Sequence, residues 1–444
     1  MDKFSPDFLL GAATAAHQVE GNNTNSDCWA MEHMEHTSYT EPSYDAVDHY
    51  NRYQEDIQLM AGAGLNAYRF SIEWARIEPE EGHFDDSQAA HYLDVIRCCK
   101  EHGLEPVVTL HHFSSPKWLI GKGGWEAEST SEYFARYVRY IIGKLGSELH
   151  YVCTINEANM GIQVAAIAKR YTQQMMAQAA KQQKYDAGTA SAGHADDKNS
   201  DGTVQVGINL EKMMEGQEAA KKENLKVFGV EKAENFTSMR TPQGDCIICR
   251  AHEAARAVIR ELYPDIQVGL SLSLHDIQAV NGGEDHAKKE WDDEFTHYLP
   301  YIQEDDFLGV QNYTRSLVGP DGILPAPDHA ELTQMNYEVY PQALAHVIRK
   351  VYEEFKGTLM VTENGIATGD DQKRTAFIEQ ALAGVQDCIR DGIPVKGYFH
   401  WSLLDNFEWQ KGYSMTFGLI AVDRTTQTRY PKESLSFLGS FRKQ

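Results

Sequence analysis

The chain lacks any run approaching 18 apolar residues, so no membrane-spanning helix is expected. It is short of cations: 41 Lys plus Arg stand against 65 Asp plus Glu, a formal net charge of −24. Nucleic-acid binders need basic patches, and membrane-surface proteins need clustered Lys and Arg, so both partner classes are disfavoured. A charge of this size speaks to solubility. Residues 1–16 have no basic n-region, which argues against a secretory signal. Cysteines number seven, odd and scattered, which is not a disulfide framework. A reduced, cytoplasmic compartment fits them best. Cys246 and Cys249 form a CxxC inside an apolar, helix-like run with no second CxxC. They read as thiols buried on a helix face rather than as a metal or redox site. No strand-like run leads straight into a G-x-G-x-x-G loop, and there is no P-loop, so a dinucleotide fold has no support.

What is present describes an ordinary soluble globular chain: 444 residues, 42% hydrophobic and 24% charged. At about 150 residues per domain the length suggests three domains, yet an α/β barrel of this size forms one. Short apolar runs cover 8–15, 67–72, 106–111, 151–155, 267–272, 307–311, 359–362 and 395–401. Helical patterns intervene, among them 45–63, 87–102, 129–145, 340–355 and 371–391. Runs such as Val107-Val108-Thr109-Leu110 are apolar without alternation, as buried parallel strands are. Eight such units predict a single (β/α)8 TIM barrel over 1–444. One region breaks the rhythm. Residues 169–241 are polar, with a Gln/Ala/Lys-rich start (171–185) and a Gly/Ser/Asp-rich run (186–202). They read as a long insertion between the fourth and fifth strands, a lid or an interaction element, or a partly flexible region with disorder expected at 186–202.

In such a barrel the chemistry sits at the C-terminal strand ends. Gln18 and Glu20 follow the first run; Arg69 lies in the second; His111 and His112 end the third. Asn156-Glu157 follow the fourth, Gln311-Asn312-Tyr313 the sixth, and Glu363-Asn364 the seventh. Trp401, Asp405, Asn406, Glu408 and Trp409 belong to the eighth. Amides and His bond sugar hydroxyls, and Trp faces cover the C–H faces of a pyranose. Glycoside hydrolysis needs two carboxyl groups flanking one bond. Glu157 and Glu363, on strands expected to face each other across the barrel, supply such a pair. The His111-His112 pair is too isolated from other strand-end His and Asp to favour a metal site. His33 and His36 read as surface residues.

These segments resemble a known family. Thr154-Ile155-Asn156-Glu157 and Val361-Thr362-Glu363-Asn364-Gly365 are similar to the two signature segments of glycoside hydrolase family 1, the β-glucosidase family. The stretches 8–21, 68–77 and 401–409, with Phe417-Gly418-Leu419 and Val422-Asp423, resemble its other motifs. The resemblance implies a retaining β-glycosidase without metal or organic cofactor, acting on a small β-glycoside or oligosaccharide. Glu157 would be the acid/base and Glu363 the nucleophile, held ionised by Arg69 and Tyr313. Asn156 would bond the sugar 2-hydroxyl. Gln18, His112, Glu408 and Trp409 would bind the non-reducing sugar over a floor of Trp401, with Phe417 closing the wall. Glu408 would repel a phosphate dianion, favouring an unphosphorylated glucosyl unit, with galactosyl or fucosyl as variants.

The chain departs from the family pattern in four places. Ala158 replaces the Pro after the acid/base, so that loop loses its stiffening. Gln311 replaces Asn, lengthening by one methylene the amide that supports the acid/base region. Thr416 stands for the Arg expected before Phe417. The segment 160–181 replaces the usual Gly-Tyr and Pro-Gly lid pattern. These departures leave the aglycone open. Three alternatives stand beside hydrolysis of a plain glycoside: a 6-phospho-β-glycosidase, a transglycosidase, and a non-catalytic sugar-binding barrel. The sequence leaves the oligomeric state open.

Overall fold

The computed structural model describes residues 3–172 and 217–442. In chain order its strands are β1 (Leu9–Ala13), β2 (Ala67–Ser71), β3 (Glu105–His111), β4 (Tyr151–Ile155), β5 (Gln267–Gly269), β6 (Ser271–Ser273), β7 (Asp276–Ala279), β8 (Phe307–Gln311), β9 (Arg315–Gly319), β10 (Gly322–Ile323), β11 (Thr358–Asn364), β12 (Val395–Trp401), β13 (Ile420–Asp423) and β14 (Thr428–Pro431). Nine of them form one parallel sheet in the order β5-β4-β3-β2-β1-β12-β11-β8-β6. β5 and β6 are one barrel strand interrupted at Leu270. Asp306 N donates to Val268 O at 2.9 Å and Gly309 N to Leu270 O at 2.8 Å, which joins the two edges. The result is the expected eight-membered barrel. β4 and β11 stand three positions apart around it, not directly opposite as the sequence reading had them.

β2, β3, β4, β11 and β12 form where β-branched and aromatic residues cluster, whereas β1, Leu9–Ala13, has neither. In β3 and β11 every residue after the first is buried, which explains the missing alternation. Helix ends follow local chemistry. The pattern at 45–63 yields a helix only from His49, because Tyr44, Ala46 and Asp48 hold left-handed φ values that no α-helix admits. The pattern at 340–355 starts at Ala343, just past Pro341, which disfavours helix in the residue before it. Helix Pro242–Leu262 opens on Pro and is capped by Thr241, whose hydroxyl accepts from Gly244 N at 3.1 Å. Cys249 is buried in this helix and Cys246 half-buried, and all seven cysteines are free thiols.

Of the insertion, residues 173–216 lie outside the described residues, including the 186–202 run and most of 171–185. The described remainder returns as helix Gln217–Val227 and a segment that lays Phe236 against Phe113 and Trp125, beside the end of β3. Among the described residues no helix is long and apolar enough to cross a membrane.

A buried charge network fastens the C-terminal hairpin to the barrel. Arg429 of β14 donates to both Asp56 oxygens, at 2.7 and 2.9 Å, and to Val47 O. His49 Nδ1 lies 2.7 Å from Asp56 and its Nε2 lies 3.0 Å from the Tyr68 hydroxyl in β2. Burial pushes the Asp56 carboxyl up, but hydrogen bonds and charge from Arg429 and His49 outweigh it and leave the group below the usual Asp value. A depressed pKa means stability that is present above the unfolded value and lost as pH falls through the folded one. Asp56→Ala, which leaves Arg429 buried and unpaired, is expected to cost about 3–5 kcal/mol in urea unfolding at neutral pH. The difference from the parent should shrink in acid; a penalty below about 1 kcal/mol would show the network to be incidental.

Candidate active site

The C-terminal strand ends bring all the expected site residues to one mouth. β11 carries a register shift between Val361 and Glu363: Val361 pairs with Val310, but Glu363 pairs with Gln311. The extra residue, Thr362, re-aims the side chain after it, as bulges do beside functional sites. Glu157 follows β4 with φ +45°, a left-handed conformation that a residue with a side chain keeps only when its surroundings impose it.

Arg69 of β2, fully buried, reaches across the barrel floor. Its Nη1 donates to Glu363 Oε1 at 2.6 Å and to Thr362 O at 3.2 Å, and its Nη2 donates to Asn156 Oδ1 at 2.5 Å. The Tyr313 hydroxyl donates to Glu363 Oε2 at 2.6 Å. Asn156 Oδ1 also accepts from Gln311 Nε2 at 2.7 Å and from Ser271 Oγ at 3.3 Å. Three donors converging on Oδ1 fix which end of the Asn156 amide is which. Its Nδ2 therefore faces His112 Nε2, 3.1 Å away. Gln311, longer than the family's Asn, thus reaches the side chain preceding Glu157.

The two glutamates, both buried, have unequal settings. Burial raises Glu157 well above the ordinary carboxylate value, and the negative charge of Glu363 raises it further against a weaker pull from Arg69. Its Oε2 has no hydrogen-bond partner among the described residues. Burial raises Glu363 as well, where the sequence reading expected Arg69 and Tyr313 to hold it down. Those two and Gln311 do pull it downward, but they offset desolvation only in part. The expected difference between the two sites survives as a difference in degree.

Aromatic and amide side chains line the rest of the mouth. Gln18, in the short helix after β1, donates through Nε2 to Phe407 O at 2.8 Å and to Glu408 Oε2 at 3.2 Å. The His112 ring stacks beside Trp401 and Trp409, with centroids 5.6 and 6.2 Å away. Phe417 meets the Tyr313 ring edge-on at 6.1 Å. Gly365 is needed for close approach: a Cβ there would lie 1.9 Å from Trp401 O. Burial holds His112 neutral, well below the usual His value.

Other candidates fall elsewhere. His111 points away from His112, bonded to Ser115 Oγ at 3.0 Å, and burial drives it down to about 3. The two rings thus present no common point to a metal. Glu20 is taken up by Arg76 at 2.7 Å and by the Tyr92 hydroxyl. His33 and His36 are exposed. Among the described residues, Glu35, His36 and Glu223 form a surface group with atoms near enough to share an ion, but Glu223 already accepts from the Glu35 and His36 N–H groups. Thr416, in place of Arg, hydrogen-bonds Gln334 Oε1 through both N and Oγ1. Sequence reasoning missed Ser271, since a serine within a strand carries no signal of its partners. It placed Glu73 at the end of the second strand without a role; the residue is buried, burial raises it to about 7, and its Oε1 accepts from Ser114 Oγ at 3.1 Å.

Comparison with known proteins agrees with this geometry. The model of glycosyl hydrolase family 1 matches residues 1–444. A beta-glucosidase of Agrobacterium sp. is 31% identical over 473 residues, covering 97% of this chain and 94% of that protein. A 6-phospho-beta-galactosidase of Lacticaseibacillus rhamnosus is 28% identical, covering 97% and 96%. Among solved structures, the beta-glycosidase BGL167 superposes with a TM-score of 0.84 at 44% identity, covering 99% of this chain and 96% of that one. A whole-chain match and a TIM barrel with paired carboxylates at its mouth lead to one assignment: the chain belongs to glycosyl hydrolase family 1 and is a β-glycosidase.

Proposed function

We propose that the chain is a retaining, exo-acting β-glycosidase that releases a terminal, unphosphorylated β-D-glucosyl unit from a small glycoside, with galactosyl or fucosyl tolerated. The unequal setting of the two buried carboxylates carries this reading. Glu363, gripped by Arg69 and Tyr313, is the one suited to be charged and to attack the anomeric carbon. Glu157, with an open oxygen and its charged form strongly disfavoured, is the one suited to keep a proton and give it to the leaving oxygen. In the second half, water attacks the glycosyl-enzyme while Glu157 takes the proton back. With its Oδ1 occupied by three donors, Asn156 offers Nδ2 to the sugar 2-hydroxyl, a bond that strengthens in the transition state.

Trp401 and Trp409 offer apolar faces to the pyranose ring, and Gln18, His112 and Glu408 offer acceptors and donors to its hydroxyls. Glu408 sets the choice of glycone. A carboxylate hydrogen-bonded by Gln18 accepts from sugar hydroxyls but repels a phosphate dianion. The relative named a beta-glucosidase lends support, and the one named a 6-phospho-beta-galactosidase makes the phosphorylated sugar the natural competitor.

Glu363→Ala is expected to abolish turnover of aryl β-glucosides, and azide or formate should restore it with an inverted product. Activity equal to wild type without the added anion would dismiss Glu363 as nucleophile. Parallel assays with aryl glucoside and aryl 6-phosphoglucoside should favour the first, and a strong preference for the second would overturn the role given to Glu408.

The pH dependence has a definite sign. The first step needs Glu363 ionised and Glu157 protonated, so its rate climbs as pH rises through the Glu363 pKa and falls as pH passes that of Glu157. Glu363→Gln removes the negative charge that helps raise Glu157. Glu157 should then titrate at lower pH than in the parent, read by NMR of carboxyl-labelled glutamate. An unchanged or higher value would contradict the electrostatic account.

A further inference from the structure

The left-handed turn at Glu157 is hydrogen-bonded to one residue of the neighbouring strand. Ser271, the fully buried first residue of β6, accepts from Glu157 N at 3.1 Å through its hydroxyl, and from Ala158 N at 3.0 Å through its carbonyl. Two successive backbone N–H groups therefore close on Ser271. Ala158, where the family signature has Pro, supplies an N–H that Pro lacks, so the loop without the proline is clamped by another route. The same hydroxyl accepts from Gln311 Nε2 at 3.0 Å and donates to Asn156 Oδ1 at 3.3 Å. With one proton and two lone pairs, its hydrogen-bonding capacity is then fully used. β8 backs it closely: a Cβ on Gly309 would lie 2.7 Å from the Ser271 Cβ, so the serine has little room to shift that way.

We propose that Ser271 is a positioning residue for proton transfer. It contacts neither of the two carboxyl groups in the bonds described, and acts through the backbone of Glu157 and the side chain of Asn156. Because one hydroxyl serves both, the aim of the acid/base carboxyl and the donor meant for the sugar 2-hydroxyl are set together. This rests on Glu157 being the acid/base.

A misaimed acid penalises only leaving groups that need a proton. Phenyl β-glucoside needs one, whereas 2,4-dinitrophenyl β-glucoside departs as a stable phenolate. The test is kcat/KM, which reports the first step, on both substrates with wild type, Ser271→Ala and Ser271→Cys. In Ser271→Ala the phenyl glucoside is expected to fall about 10-fold further than the dinitrophenyl glucoside, a fraction of what general acid catalysis supplies, and the smaller fall of the second reads the loosened 2-hydroxyl donor alone. Ser271→Cys, which keeps the volume and a weak S–H, should lie between. The ratio of the two values is independent of how much variant is folded, so a merely structural role would leave it unmoved. An equal fall on both substrates, or none, overturns the proposal. Glu157→Ala serves as the separate check: if it fails to split the two substrates, the acid/base assignment fails and takes the role of Ser271 with it.

Discussion

The buried contact between Arg69 and Glu363 is the constraint around which the site is arranged. A guanidinium and a carboxylate taken out of water are stable only when well paired. Here the guanidinium spans two strand ends, holding Glu363 with one nitrogen and Asn156 with the other. Tyr313 takes the second carboxylate oxygen. Each of these bonds fixes a side chain that the proposed reaction needs in a set orientation. A barrel suits this arrangement, because residues far apart in sequence converge at the ends of parallel strands that cannot slide independently.

From that pair the charge asymmetry follows. The negative charge drawn to Glu363 by Arg69 is felt by Glu157, which has no comparable cation of its own and is therefore driven up. The two glutamates differ less in burial than in their neighbours. Desolvation raises both, so the assignment of acid and nucleophile comes from who donates to whom. At the mouth, His112, kept neutral by burial, packs beside the Trp401 ring, and an apolar setting of that kind strengthens polar contacts made within it.

Much of this was legible in the sequence, for identifiable reasons. The eight apolar runs announced themselves because a parallel strand covered on both faces must be apolar throughout. Glu157, Glu363 and Tyr313 stood out because they follow closely on such runs, and Arg69 and Trp401 because they lie within them. The relation of β4 to β11 was misjudged, since strand number alone does not give separation around a ring. The direction of the Glu363 shift was misjudged as well, because a partner can be guessed from sequence while the depth of burial opposing it cannot.

The sequence by itself determined the barrel, the identity of the paired carboxylates and the residue types around them, because hydrophobic periodicity and strand-end position are properties of the linear chain. Only the tertiary structure decided how those groups are oriented. The bulge at Thr362, the left-handed turn at Glu157 and the convergence of Ser271, Gln311 and Arg69 on Asn156 join residues between about 40 and 290 positions apart. Hydrogen bonds of that kind depend on atoms within about 3 Å of each other in space, and linear spacing carries no record of such distances.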